Sequence, residues 1–294
     1  MIKKSIHISK SCSVRLKKCQ MEVTFKDSGE VRTVPIEDIG IVVVENQCAS
    51  FSIPVLNALS DNNTAVVFCN ERMMPNSILL PFEGNTVQSE IYKLQRGISE
   101  PLKKQLWKQI IETKIRNQAA VLNSQDKDGS ILKPMYCNVK SGDIDNKEGL
   151  AARIYWGMVF NETFVRNQDS ETGLNAMLNY GYAILRAATA RAIVGTGLSL
   201  SFGLFHKNRY NAFPLADDLM EPYRPYVDSA IIDLWKNGIS ELDKEAKVSL
   251  LSVLTCDTIL NDIQRPLEIG LSITTASLVK CLKGDEKNLI LPHM

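Results

Sequence analysis

The sequence predicts an α+β protein: a small, antiparallel-rich β domain carrying one short helix, followed by a larger all-α domain. Three observations lead there. Short β-branched runs crowd the first eighty residues, apolar residues recur every three or four positions after about Ser89, and proline and glycine punctuate the junction. At 294 residues and 45% hydrophobic content, the chain can bury substantial cores without disulfide or metal staples.

In chain order, β-type runs occupy residues 5–9, 21–25, 31–35, 41–44 and 64–69. Lys26-Asp27-Ser28-Gly29-Glu30 reads as a short hairpin connection between two of them. Residues 53–61 (IPVLNALSD) have helical spacing and end at the turn-forming Asn62-Asn63. Pro75, Asn76, Pro81 and Gly84-Asn85 then mark a boundary. This gives a β domain over 1–80, a linker over 81–90 and a helical domain over 91–294. Helical runs are expected at 90–96, 100–122, 146–160, 173–195, 218–237, 240–254 and 267–282. The stretch 123–129 (NSQDKDG) is a polar loop, and neither internal repeats nor low-complexity segments occur.

The formal net charge of +1 rules out a global polyanion-binding signature, so any nucleic-acid surface must arise from local clustering. The candidate cluster is Lys93, Arg96, Lys103, Lys104, Lys108, Lys114 and Arg116, along the first long helices, where acids are sparse. Against it stands the ordinary solvated helix face with Lys–Glu pairs. The seven cysteines are odd in number, widely spaced and form no CxxC pair, which speaks against zinc or dithiol chemistry and for a reducing, cytosolic setting. The start MIKKSIHISK lacks the apolar core of a secretory leader, and no apolar run approaches the length of a membrane span; an intracellular, soluble protein is expected.

Candidate chemistry concentrates in the helical region. Of three histidines, only His206 lies in an informative segment, GLFHKNR. Shortly after it, LADDLMEPYRP places carboxylates at a helix start, with Asp218 and Glu221 on one face at i, i+3 spacing. Asp217 reads as a helix cap. Glu221 lies deeper than a cap and precedes Pro222. A third acid, Glu148, opens the helix at GLAARIYW, where Asp143, Asp145 and Glu148 also suit a first turn as plain dipole partners. Two carboxylates and one imidazole suit a hard divalent ion, Mg2+ or Mn2+, with part of the coordination left to water and phosphate. Zinc would want Cys or several His.

Three segments resemble the CRISPR-associated spacer integrase, the universal adaptation protein of these immune systems: KEGLAARIYWGMVF at 147–160, GLNAMLNYGYAILRAATARAIVGTGLSLSFGLFH at 173–206 and NAFPLADDLMEPYRPYVD at 211–228. LNYGYAIL, GLFH and DLMEPYRP resemble the form found with type II systems. The resemblance implies a metal held by Glu148, His206 and Glu221, which are then also the catalytic residues, with Asp218 as a supporting acid beside the metal. It implies a DNA endonuclease that integrates captured fragments into a repeat array as 3′-hydroxyl transesterification. Arg224 matches a basic position for a DNA phosphate, with a salt bridge as the alternative, and Lys103, Lys104, Lys108, Lys114 and Arg116 remain the basic surface. Asn175, Asn179 and Tyr180 also match, and helix-to-helix hydrogen bonding is preferred for them over DNA contact.

The same resemblance implies several partners: double-stranded DNA, a homodimer formed through the β domain, a small ferredoxin-like adaptation protein, and the type II effector nuclease. Two other readings stay open on the residues alone. One is a non-catalytic DNA-binding scaffold whose acids are caps and ion pairs, and the other a stand-alone metal nuclease of DNA repair.

Overall fold

The computed structural model describes residues 3–160 and 163–294, which form two compact units, Met1–Gly84 and Asn85–Met294. The first unit runs β1 (Lys4–Ile8), β2 (Cys12–Lys17), β3 (Gln20–Phe25), β4 (Val31–Pro35), β5 (Ile39–Val44), β6 (Ser50–Phe51), α1 (Ile53–Asp61), β7 (Ala65–Cys69) and β8 (Pro75–Leu79). Two four-stranded sheets result, in the orders β1-β5-β7-β8 and β4-β3-β2-β6. The expected hairpin is the antiparallel β3–β4 pair, and β2–β3 is antiparallel as well.

The other sheet is mixed: β5 pairs in parallel with both β1 and β7, while β7 pairs antiparallel with β8. The sequence of β5, IGIVVV, explains why. All six residues are buried, so the strand is an interior one covered on both faces. Val14, Met21, Ile39, Val42, Val55, Leu59 and Val66 join one core between the sheets and α1.

The second unit contains α2 (Gln88–Arg96), α3 (Glu100–Ser124), α4 (Lys133–Tyr136), α5 (Lys147–Val159), α6 (Gly173–Gly195), α7 (Pro214–Met220), α8 (Arg224–Lys236) and α9 (Lys244–Ser252), then β9 (Asp257–Leu260), β10 (Ile263–Pro266) and α10 (Leu267–Lys283). It is helical but for the β9–β10 hairpin, which corrects the all-α expectation. That hairpin turns at Asn261 and Asp262, both in left-handed conformation. Among the described residues, no helix is long and apolar enough to cross a membrane.

Two long helices organise this unit. Helix α3 starts where the Ser99 hydroxyl accepts from the Leu102 amide, with Pro101 inside the first turn. It buries Leu106, Trp107, Ile110, Ile111, Ile115, Val121 and Leu122. Helix α6 is buried on most of its length and packs against α7, α8, α9 and α10. Gly181 is required at its crossing with α8, because a Cβ there would lie 2.5 Å from Val227 Cγ1.

One break in helix order positions the site. The single helix expected over 218–237 is two helices, α7 and α8, joined by a 3-10 turn at Glu221–Tyr223. Pro222 and Pro225 each sit in the first turn of the element they open, where the absent N–H costs nothing and the chain is redirected. Glu221 therefore lies at a corner and points into the helical core, 4% exposed.

Candidate active site

Helices α3 and α5, the loop 203–206 and the α7–α8 corner bring Glu148, His206, Asp218 and Glu221 into one region. Glu148 sits in the first turn of α5. That turn is capped twice: Asn146, itself left-handed, accepts from the Gly149 amide, and the Asp143 carboxylate accepts from the amides of Lys147 and Glu148. Asp143 is thus the first-turn acid that caps, which leaves the Glu148 side chain free to reach inward.

Asp217 is no cap, contrary to the sequence reading, since α7 begins three residues earlier at Pro214, with Phe213 at the N-cap position. Instead its two oxygens take Arg186 Nε at 2.7 Å and NH2 at 3.0 Å, and Asn211 donates to it at 2.7 Å. Asp218 is fully buried and serves the loop in front of it. Its carboxylate accepts from the amides of Leu204, Phe205 and His206 at 2.5, 3.1 and 3.2 Å, and lies 2.7 Å from His206 Nδ1. Gly203 makes this closure sterically feasible, as a Cβ there would lie 2.9 Å from Asp218 Oδ2. Phe205 stacks on the buried Trp107 ring at 4.3 Å, and His206 meets the same ring edge-on.

The two glutamates share a cation. Lys114 of α3 is buried, and its Nζ lies 2.5 Å from Glu148 Oε1 and 2.6 Å from Glu221 Oε2. Glu221 Oε1 faces Arg224 Nε at 3.0 Å. Burial pushes the Glu221 carboxyl up, but Arg224 and Lys114 more than offset it and hold the group below the ordinary range. Lys114 shows the mirror image: burial lowers it, Glu221 and Glu148 overcome that, and the ammonium ends above its usual value. The hydrogen bond to Asp218 raises the His206 imidazole against the opposing effect of burial. Asp218 is raised by its own burial, with His206 pulling the other way.

These placements revise the basic surface. Lys114 does not belong to it, since its ammonium is buried between two carboxylates. Arg224 takes the salt-bridge alternative, with its guanidinium 4.5 Å from the Tyr182 ring centroid. Lys103 and Lys207 both reach Glu100, at 3.1 and 3.5 Å, and Lys108 faces Glu112 at 3.6 Å. Lys104 is exposed, and Arg116, also exposed, lies over the Tyr136 ring.

Sequence reasoning missed a cluster beside His206. A cavity of about 460 Å³ is lined by Arg166, Asn179, Tyr182, Arg186, His206 and Arg224, among others. Arg166 donates to Asn179 Oδ1 at 2.6 Å, Asn175 Oδ1 at 3.1 Å and the Asn167 carbonyl at 2.7 Å. Among the described residues, no carboxylate pairs with it. Asn175 and Asn179 thus make structural hydrogen bonds, but they brace a loop arginine instead of joining two helices. The Arg166 and Arg224 guanidinium groups both lie over the Tyr182 ring, and Tyr182 donates to Asp228, which Tyr155 also reaches at 3.1 Å. Asparagines spaced i, i+4 at the start of α6 were the one available signal for Arg166.

A sequence profile described as CRISPR associated protein Cas1 matches residues 7–264, nearly the whole chain. The chain belongs to the Cas1 family. It is 40% identical over 237 residues to the CRISPR-associated endonuclease Cas1 of Neisseria meningitidis serogroup C, covering 79% of this chain and 77% of that one. A Cas1 endonuclease of Pyrobaculum aerophilum is 28% identical over 281 residues, covering 85% of this chain and 89% of that one. Among solved structures, a casposase bound to integration product superposes with a TM-score of 0.79 at 19% identity over 99% of this chain and 93% of that one. A Cas1 protein from Thermotoga maritima superposes at 0.76 and 17% identity, over 96% and 97%. Those two likenesses establish the shared α+β fold of this Cas1-family chain, and the family match confirms the resemblance read from the three segments.

Whether these residues suit a divalent ion is a question about the donor set. Among the described residues, no three His, Cys, Asp or Glu side chains converge closely enough to hold a metal as they stand. Three features nevertheless fit. Glu148 and Glu221 already grip a cation, the Lys114 ammonium. Glu221 Oε2 is buried and faces the Lys114 ammonium at 2.6 Å. His206 is oriented through Nδ1 by a buried carboxylate, the arrangement that leaves Nε2 available to a metal.

Proposed function

We propose that this Cas1-family chain is a divalent-metal-dependent DNA endonuclease and integrase, which inserts captured DNA fragments into a repeat array. The observation that carries this reading is the buried Asp218 holding His206 beside Glu221 and an arginine-lined cavity. A scaffold would gain nothing from fixing one ring nitrogen of a partly exposed histidine.

In this reading Glu148, His206 and Glu221 would hold Mg2+ or Mn2+. Bound there, the ion would draw charge from a phosphodiester and favour the deprotonated form of an attacking 3′-hydroxyl. The chain's own groups do the rest. Asp218 fixes the His206 ring, and Arg224 holds the Glu221 carboxylate ionised. Arg166 offers its charge to a phosphate, while Arg186 and Asn211 pair with the Asp217 carboxylate that lines the same cavity. The new P–O bond to the captured 3′-oxygen forms as the repeat's own P–O bond breaks, and the departing oxygen takes up a proton. No nucleotide cofactor is consumed. With water as the nucleophile, the same arrangement cleaves.

Two structural neighbours support a DNA-bound role within a larger complex. The casposase neighbour is bound to an integration product, and another neighbour of the same fold belongs to a Cas6-RT-Cas1–Cas2 complex, where this chain matches 36% of that chain's length. We extend to this chain duplex DNA as substrate, a homodimer through the β unit, and a higher-order complex with a small ferredoxin-like adaptation protein and the type II effector nuclease. DNA contact would fall to Lys103, Lys104, Lys108 and Arg116, with Arg166 beside the cavity.

The Lys114 bridge is the specific observation that favours the alternative, a DNA-binding scaffold whose acids are ion pairs. Strand transfer of a labelled duplex into a repeat-bearing plasmid, with the adaptation partner present, separates the two. Wild type should join DNA with Mg2+ or Mn2+ and not in EDTA, and His206→Ala should lose about 100-fold or more. Joining that persists in EDTA, or in the variant, would move the active site elsewhere.

A further inference from the structure

We propose that Lys114 is a built-in placeholder cation: its ammonium occupies the locus between Glu148 and Glu221 when no divalent ion is bound, and must withdraw for the ion to enter. The inference rests on reading those two glutamates as metal ligands.

Three observations carry it. The Nζ atom lies within 2.6 Å of an oxygen on each glutamate, so one point charge serves both. It donates to Glu148 Oε1 and pairs with the buried Glu221 Oε2, so any cation that replaces it must satisfy the same two oxygens. The local charges also balance: Glu148 and Glu221 are matched by Lys114 and Arg224. A divalent ion added to a neutral quartet would leave two charges in excess inside a largely desolvated site. Withdrawal of Lys114 halves that excess.

Helix α3 suits such a device. Its long, rigid frame fixes the Lys114 backbone, while the four-carbon stem lets the ammonium move without moving the helix. Arginine would suit less well, because its planar fork would hold the carboxylates bidentately. The benefit is structural. With neither metal nor lysine, the buried Glu221 and half-buried Glu148 carboxylates would repel each other and open the α5 and α7–α8 contacts.

The test is Mn2+ binding by titration calorimetry to DNA-free wild type and Lys114→Met, with thermal melting of both in EDTA and in Mn2+. Lys114→Gln, which keeps a polar head, serves as a second variant. The placeholder predicts Mn2+ affinity about tenfold or more tighter in both variants. It also predicts a melting temperature lower than wild type in EDTA and restored by Mn2+, because the ion then binds the folded state that lysine formerly held. A variant that folds only with Mn2+ present supports the proposal equally. Affinity equal to or weaker than wild type, or a variant unfolded with and without Mn2+, overturns it. Mn2+ binding to neither protein would instead remove the metal reading of the glutamates, and the placeholder with it.

Discussion

Asp218 and His206, twelve residues apart, are joined by a 2.7 Å contact from carboxylate to Nδ1, and the same carboxylate collects the backbone amides of residues 204–206. One buried acid therefore fixes both the loop that carries the histidine and the orientation of its ring.

Asp218→Asn puts an amide where four donors converge. Its nitrogen cannot accept, so at least one donor loses its partner and the ring loses its anchor. Strand transfer should fall about 10- to 100-fold, with Mn2+ affinity falling in parallel. Calorimetry and a gel assay on one preparation check both. Unchanged metal affinity would show that Asp218 is purely structural.

Glu221→Asp keeps the charge and retracts it by one methylene from Lys114 and Arg224. Partial activity is expected, roughly a tenth of wild type, whereas Glu221→Gln should be inactive because it cannot balance a cation. Activity equal in the two variants would contradict a role that depends on charge.

Arg166→Ala removes a guanidinium that, among the described residues, hydrogen-bonds to amide and carbonyl oxygens and lies over the Tyr182 ring. Duplex affinity should drop, and the slope of log K against log salt should shrink by about one, as expected for one lost phosphate contact. Filter binding across a salt series measures it. Arg166→Lys should keep the slope and lose part of the affinity, because lysine is charged but lacks the fork held by Asn175 and Asn179.

Asp228 is buried at 2% exposure, and burial raises its carboxyl to about 6 despite hydrogen bonds from Tyr182 and Tyr155. In the unfolded chain such a group titrates near 3.9. The folded value is higher, so its contribution to stability is full below about pH 4 and is lost as the pH rises through about 6. Asp228→Asn should flatten this part of the pH–stability curve, a difference on the order of 2 kcal/mol between pH 4 and pH 7. Urea midpoints at the two pH values decide it. Parallel curves for wild type and variant would mean that Asp228 stays ionised across the range.

Much of this architecture is visible in local sequence. Alternating β-branched residues, the Gly29 hairpin, the capped start at Ser99 and the apolar repeat of α6 are decided by neighbours in the chain, because pleat, turn and helix each impose a short period. The parallel pairing of β5 and the hairpin at Asp257–Pro266 were not visible. Strand direction depends on crossover connections, and four-residue strands carry too few positions to show alternation.

The candidate site divides in the same way. The residue types at Glu148, His206 and Glu221, and the i, i+3 spacing of Asp218 and Glu221, belong to the sequence, as does the family they mark. Only the tertiary structure decided what each acid faces: Asp217 meets Arg186 across 31 residues, Asp218 closes on a loop, and Glu221 turns inward at a proline-made corner. It also moved Lys114 from an expected basic surface to the space between two glutamates. Charge pairing of that kind joins residues 34 and 107 positions apart, and no periodicity along a chain encodes a contact made by packing separate helices.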